Sequence, residues 1–434
     1  LFLPLQTEGS NMTKKKVVLT FILLVNAMSI ISTFACSMTK VEYDKGCVVG
    51  RTMDLPSMIQ MAMYYGVPGT KNVSNVNCEN VEDEKCFKWE TEYKFVGVPL
   101  GLEGEVTDGM NEKGLYAGYL FLPGPTKYPE LNNSNTKPAM SVMNLSAFFL
   151  GTCTSVNECL KKLDEFQTVG SALTINLGKK NIVTLIFPLH LVLVDKSGDS
   201  ALIEFVKDKN NPNGPSKIQV YRDVRVVTNS PEYDWHLEEY KHTKHIGAYI
   251  SQNKNIKWDG YYMNGSGFAG INSHFDHGLP GDWTPVARFV RGLTVLESLP
   301  KAKNNSNAFY NTERVINTME VPVGLNTSPT SWITISDLEN GNYYYKLLCS
   351  VLTVSNRGII AITPKSKGPV LFQKFNVNKP DDSGIISEIR LSTTKVDYKK
   401  ALEKMTEKYK NGANPDGKYN GAFLVYNDKQ PRQE

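Results

Sequence analysis

Cys36, Arg51 and Asp54 are the residues of this chain best suited to covalent chemistry. A thiol attacks as its thiolate, and a neighbouring cation such as Arg51 lowers the cost of forming one. If the chain is cut after Ala35, Cys36 also carries a new α-amine. With a pKa of about 7.7–8.0, that amine is able to act as base for its own side chain. Asp54 would hold the amine by a charge-assisted hydrogen bond. Two other readings of the same cysteine stand beside this one: an acylated lipoprotein anchor and an ordinary buried thiol. Taken alone, Arg51 and Asp54 read better as a surface ion pair.

The chain supplies a reason to place a cut there. Met12-Thr13-Lys14-Lys15-Lys16 is a positive segment, Val17 to Ile31 is mainly apolar, and Thr33 and Ala35 are small residues ahead of Cys36. That is the pattern of a secretory signal, so residues 1–35 are expected to be a signal peptide with an upstream extension at 1–11. The apolar stretch falls short of the ~20 residues a membrane span needs, so no stable membrane insertion is expected after cleavage. The expected location is outside the cytoplasm, secreted or periplasmic. Phe34 and Thr33 fit a lipoprotein signal poorly, because an aliphatic residue belongs three before the acylated cysteine.

Composition narrows the class further. The 434 residues carry a formal charge of +4, from 48 Lys+Arg against 44 Asp+Glu, and 41% are hydrophobic. Such a chain can bury a full core, which excludes a disordered tail or a disulfide-stapled miniprotein. Near balance of charge excludes the basic face that nucleic acids require. The seven cysteines are an odd number, so an exported form keeps at least one thiol outside any intramolecular disulfide.

The elements that position these residues are legible in outline. Cys36 to Tyr43, a turn at Asp44-Lys45-Gly46 and Cys47 to Asp54 predict a hairpin that returns Arg51 and Asp54 toward Cys36. Strand character recurs at 182–187, 191–195, 200–206 and 218–228, with turn clusters Lys196 to Asp199 and Asn210 to Gly214 between. Trp332 to Ile335 and Tyr343 to Leu347 flank Glu339-Asn340-Gly341, a second hairpin. Helical spacing covers 141–166, 284–299 and 308–319, a helix starts near Asp234, and 396–411 reads as a polar helix before an apolar strand at 421–426. Strands and helices in separate blocks indicate α+β layers in one domain, 36–434, with 396–434 a divergent C-terminal extension.

Four ordered segments carry a resemblance. They are Cys36…Gly50-Arg51-Thr52-Met53-Asp54, Asp108-Gly109-Met110-Asn111-Glu112-Lys113-Gly114-Leu115, Thr228-Asn229-Ser230-Pro231-Glu232-Tyr233-Asp234-Trp235, and Gly278-Leu279-Pro280-Gly281-Asp282…Ala287-Arg288-Phe289. Together they resemble the choloylglycine hydrolase family, which contains bile salt hydrolases and penicillin V acylases, from Cys36 to roughly residue 375. The resemblance implies a four-layer αββα sandwich of the N-terminal-nucleophile hydrolase type. It also implies cleavage of linear carbon–nitrogen amide bonds in a small-molecule substrate, without metal or organic cofactor, and an assembly that is often a tetramer. Cys36 matches the nucleophile, Arg51 and Asp54 its companions, Asn229 the side chain that donates to the oxyanion, and Arg288 the arginine that fixes the site. Phe121 matches the residue whose backbone N–H is the second oxyanion donor, where the family commonly has Asn or Tyr. Leu55, Tyr119, Leu122 and Phe268 are candidate pocket walls. Conjugated bile salts are slightly preferred as substrate over penicillin V.

Other constellations carry less. Gly265 to Gly270 fits a dinucleotide-binding pattern but leads into Gly278-Leu279-Pro280-Gly281 rather than a helix. The pairs His242/His245 and His274/His277 lack the partners of a zinc site. Cys78 and Cys86 are spaced to pair across a loop, whereas Cys153 and Cys159 on one helix would be too far apart for an undistorted bridge.

Overall fold

The computed structural model describes residues 35–54, 62–74, 85–99, 105–132, 134–170, 173–176, 182–208, 210–252, 279–322, 329–348, 350–355, 358–362, 372–378 and 422–425. By internal contacts the chain divides into Leu1–Phe34 and Ala35–Glu434, and every described residue belongs to the second unit. Two antiparallel sheets form its centre. Their strands, in chain order, are β1 (Ala35–Tyr43), β2 (Gly46–Asp54), β3 (Ala62–Gly66), β4 (Phe95–Pro99), β5 (Val106–Asn111), β6 (Leu115–Phe121) and β7 (Leu189–Asp195). The series continues with β8 (Ser200–Asp208), β9 (Asn211–Arg222), β10 (Val226–Val227), β11 (Trp332–Asp337), β12 (Asn342–Leu347), β13 (Gln373–Asn376) and β14 (Ala422–Val425). The helices are α1 (Leu145–Thr152), α2 (Val156–Lys162), α3 (Tyr233–Gln252), α4 (Pro285–Ser298) and α5 (Asn305–Met319).

One sheet has six strands in the order β10-β1-β2-β11-β12-β13, the other eight in the order β9-β8-β7-β6-β5-β4-β3-β14. Helices α4 and α5 cover the first sheet over β1 and β2, and α1 covers the second over β5 and β6. The result is the expected α+β sandwich of αββα layers. Alternation along each strand sends one set of side chains between the sheets, where Met38, Met53, Tyr116, Leu120, Val192 and Leu202 join one buried cluster. Gly50 lets α5 lie close on β2, since a Cβ there would come within 2.5 Å of Thr312 and 2.7 Å of Ile316. Among the described residues no helix is long and apolar enough to cross a membrane.

Both expected hairpins form. In the first, Tyr43 faces Gly46 and Cys36 faces Met53; in the second, Asp337 faces Asn342 across a turn closed by Gly341 at φ 66°. The helix expected over 141–166 is broken instead, because the chain extends at Cys153 and Ser155 starts a new helix by accepting from Glu158 N–H. Cys153 therefore caps the end of α1, while Cys159 lies within α2. The break brings their thiols into hydrogen-bond contact, although both are free. Cys86 is in a disulfide. Cys78 and Cys349 lie outside the described residues, as does the helix expected over 396–411. The strand expected at 421–426 forms β14 and edges the larger sheet against β3.

The run 218–228 was expected as one strand and is two. It breaks at Asp223, which takes a left-handed φ of 56°. The chain leaves the eight-stranded sheet there and joins the six-stranded one as β10 beside β1, with Met38 opposite Val227. Continuing that register by two residues brings Asn229 alongside Cys36.

Candidate active site

The register of β1 and β2 sorts the site onto two faces of the six-stranded sheet. Cys36 faces Met53 and Met38 faces Arg51, so these four side chains share the face turned to the larger sheet. Ser37 and Asp54 fall on the opposite face, toward α4 and α5. On the inner face Arg51 Nη2 lies 3.7 Å from Cys36 Sγ, and Met53 Sδ is 3.6 Å from the same thiol.

A buried network fixes that arginine. Arg51 Nη1 donates to Thr107 O at 3.0 Å, Nη2 donates to Tyr119 O, and the guanidinium lies 5.0 Å over the Trp332 ring. Its ion-pair partner is Asp108, 3.4 Å away, and both side chains are fully buried. Asp108 also accepts from Tyr116 and Tyr343 hydroxyls, each at 2.5 Å, and from Thr334 at 2.9 Å. A buried carboxylate surrounded by donors in this way avoids the penalty of an uncompensated charge. Burial works against the charge on Arg51, but Cys36, Asp108 and Tyr116 outweigh it and raise its pKa. Burial and Asp108 push both tyrosines well above their usual range, so they remain neutral donors. Sequence reasoning places Asp108 within a motif but assigns it no role, and it misses Tyr116 and Tyr343. A lone acidic residue inside a strand of buried residues was the available signal.

On the outer face Arg288 comes from the first turn of α4, whose start is set by Thr284 accepting from Ala287 N–H and by Pro285. The turn points Arg288 inward, fully buried. Its Nε donates to Trp283 O at 3.1 Å. Nη1 reaches Cys36 O at 2.9 Å, Ser37 Oγ at 2.5 Å and Asp54 Oδ2 at 3.1 Å, while Nη2 reaches Asn229 Oδ1 at 2.8 Å. Asp54 Oδ1 accepts from Thr330 at 2.5 Å. Burial raises the Asp54 carboxyl more than Arg288 lowers it.

Cys36 N donates to Asn229 Oδ1 at 2.7 Å. This differs from the expected contact with Asp54, whose oxygens are taken by Arg288 and Thr330. Asn229 Nδ2 donates to Phe121 O at 2.7 Å. Leu122 N–H bonds Pro188 O at 2.7 Å, which makes Phe121 a non-hydrogen-bonded position toward β7. Both Phe121 N–H and C=O therefore point to the other edge of β6, where Asn229 stands. Burial pushes the Cys36 thiol up, Arg51 lowers it by less, and Asp54 adds to the rise.

Cys36, Arg51, Asp54, Asn229, Arg288 and Phe121 are thus brought together. Of the candidate walls, Tyr119 is turned away from them. Tyr119 is buried with its hydroxyl donating to Val142 O and accepting from Ser146 N–H, toward α1 and away from the thiol. The residue is on the helix-facing side because it alternates with Leu120, which packs between the sheets. Leu122 is fully buried. Leu55 and Phe268 lie outside the described residues.

Behind Asn229, His236 Nε2 lies 2.8 Å from Asn229 O. Burial lowers its pKa to about 4. The unfolded chain takes up that proton near pH 6.5 and the folded chain only near pH 4, so stability is full above about 6.5 and falls by about 3 kcal/mol as pH drops to about 4. His236→Gln keeps a donor and does not titrate. It is expected to flatten this part of a denaturation-against-pH curve, and an equally steep fall would exclude His236 as its cause.

A cysteine on the first described strand of an αββα stack, its backbone nitrogen held by an asparagine and its thiol faced by a buried arginine, is the arrangement expected of an N-terminal-nucleophile hydrolase fold. The family described as "Linear amide C-N hydrolases, choloylglycine hydrolase family" matches residues 36–355. The chain belongs to that family of amide hydrolases. It is 25% identical over 308 residues to a bile salt hydrolase/transferase of Clostridium perfringens, covering 68% of this chain and 84% of that protein. It is 27% identical over 271 residues to a penicillin V acylase of Pectobacterium atrosepticum, covering 60% and 65%. Among solved structures, a mutant conjugated bile acid hydrolase from Clostridium perfringens aligns with a TM-score of 0.55 at 22% identity, over 79% of this chain and 97% of that one. A penicillin V acylase from Agrobacterium tumefaciens aligns at 0.54, also at 22% identity, over 79% and 91%.

Proposed function

We propose that this chain is exported, is cut after Ala35, and hydrolyses the amide of conjugated bile salts with Cys36 as nucleophile. The observation that carries the reading is the 2.7 Å contact between Asn229 and Cys36 N, the atom that such a cut turns into an amine. The amine takes the thiol proton, and the thiolate, favoured by Arg51, attacks the amide carbonyl. Asn229 Nδ2 and Phe121 N–H receive the developing oxyanion, donors worth on the order of 3 kcal/mol each. The ammonium passes its proton to the leaving nitrogen, and water activated by the same amine then releases the acyl group from sulfur. Asp54 and Arg288 hold the frame in which Cys36 and Asn229 meet.

A glycine- or taurine-conjugated steroid acid combines a scissile amide with a large apolar body, and relatives named for bile salts outnumber those named for penicillin V. Penicillin V cleavage by the same machinery is the second reading, carried by the Pectobacterium relative. The test is product release from glycocholate, taurocholate, penicillin V and long-chain N-acyl amides. Turnover of the bile salts at least as fast as the rest is expected, and turnover of penicillin V alone overturns the substrate assignment. Intact mass of the exported protein is expected to show a first residue Cys36 with a free amine. A diacylglyceryl group on Cys36 would replace the hydrolase reading with a lipid-anchored binding protein.

A further inference from the structure

Two buried histidines that the chemistry above does not use hold consecutive carbonyls of the segment carrying Asn229. His190, on β7, places Nε2 3.1 Å from Thr228 O and Nδ1 3.2 Å from Glu204 Oε1 on β8. His236, in the first turn of α3, places Nε2 2.8 Å from Asn229 O. A carbonyl oxygen only accepts, so in both rings Nε2 carries the proton. Glu204 Oε1 also accepts from Tyr233 N–H at 3.3 Å, which ties the start of α3 to the same carboxylate. His190, His236 and Glu204 are each 2% exposed or less. The His236 ring stacks on Phe289, next to Arg288 in the chain, with centroids 4.9 Å apart and planes at 19°.

The backbone at 228–229 is therefore gripped from β7 and α3, while the Asn229 side chain is gripped by Cys36 N, Arg288 and Phe121. If either histidine is removed, a buried carbonyl loses its donor, and the peptide gains by turning to find another. That turn moves the Asn229 amide.

We propose that His190, supported by Glu204, and His236 are positioning residues that set where Asn229 Nδ2 stands relative to Cys36. They act through the backbone and touch no reacting atom. The inference rests on Asn229 being an oxyanion donor, and the experiment separates the two claims.

His190→Leu and His236→Leu, with His190→Gln and His236→Gln as conservative counterparts, are made in the mature protein. For each, kcat and KM on the fastest substrate of the panel, the rate of Cys36 alkylation by iodoacetamide and the melting temperature are measured. Displacement of a donor by ~1 Å costs roughly 100-fold. The leucine variants are expected to lose about that factor in kcat with KM within about twofold. Alkylation should be unchanged, because it forms no oxyanion, and the glutamine variants should recover most of the rate. Folded leucine variants with wild-type kcat overturn the proposal. So do glutamine variants as slow as leucine, or alkylation falling in step with kcat. If a leucine variant does not fold, Glu204→Gln reads the same coupling: about a tenfold lower kcat at unchanged KM supports it, and wild-type kcat overturns it. Asn229→Ala completes the set. Wild-type kcat in that variant removes the assignment of Asn229, whereas a slow Asn229→Ala beside fast histidine variants removes only this inference.

Discussion

Cys36→Ser is expected to abolish amide turnover, by roughly 1,000-fold or more, while leaving the melting temperature close to that of the unaltered protein. The side chain is buried between Met53 and Arg51, and an oxygen in place of sulfur needs no new space. What changes is the chemistry. A serine hydroxyl is far harder to ionise than a thiol, and Arg51 alone does not make up the difference. Burial already raises the Cys36 thiol despite Arg51, which fits the proposed route in which a base removes the proton during attack. Retained hydrolysis of glycocholate and penicillin V in Cys36→Ser would refute the nucleophile. The substitution leaves Arg288, Asp54 and Asn229 in place, so loss of rate without loss of fold points to sulfur itself.

The second large effect concerns the fold as much as the rate. Arg288→Met leaves Asp54 as a charge buried without its ion-pair partner, and breaking such a pair costs about 3–5 kcal/mol. For a domain of this size that corresponds to a fall of roughly 4–6 °C in melting temperature. Activity is expected to be lost as well, because Arg288 binds Cys36 O and Asn229 Oδ1 together. Adding Asp54→Asn removes the orphaned charge and is expected to restore part of the stability but none of the activity. A melting temperature unchanged in Arg288→Met would show that the pair contributes little. Recovery of turnover in the double variant would show that Arg288 and Asp54 have no part in the site.

These expectations draw on different layers of information. Cys36, Arg51 and Asp54 were legible because a hairpin with a turn at Asp44 and Lys45 places them by local rules of register. Arg288 was legible only by resemblance to a motif. Its helical spacing alone allowed a solvated position, and the buried setting follows from α4 packing on β1. Asp54 was expected to meet the Cys36 amine, yet Arg288 claims its carboxylate, a competition between residues 234 positions apart. Tyr119 was expected in the pocket and faces α1 instead, because the strand's alternation is decided by which side the larger sheet covers.

What the sequence alone determined is therefore local: the signal-like start, the position of Cys36 ahead of a hairpin, a second hairpin, the α+β class and the order of the motifs. Periodicity, turn residues and cleavage patterns act over a few neighbours, and such signals survive in one dimension. The tertiary structure decided the break at Asp223 that carries the chain from one sheet to the other and sets Asn229 beside Cys36. It also decided the ring of donors around Asp108 and the grip of His190 and His236 on successive carbonyls. Each joins residues far apart in the chain. Their meeting is fixed by burial, where every charge and every carbonyl must find a partner wherever the chain provides one.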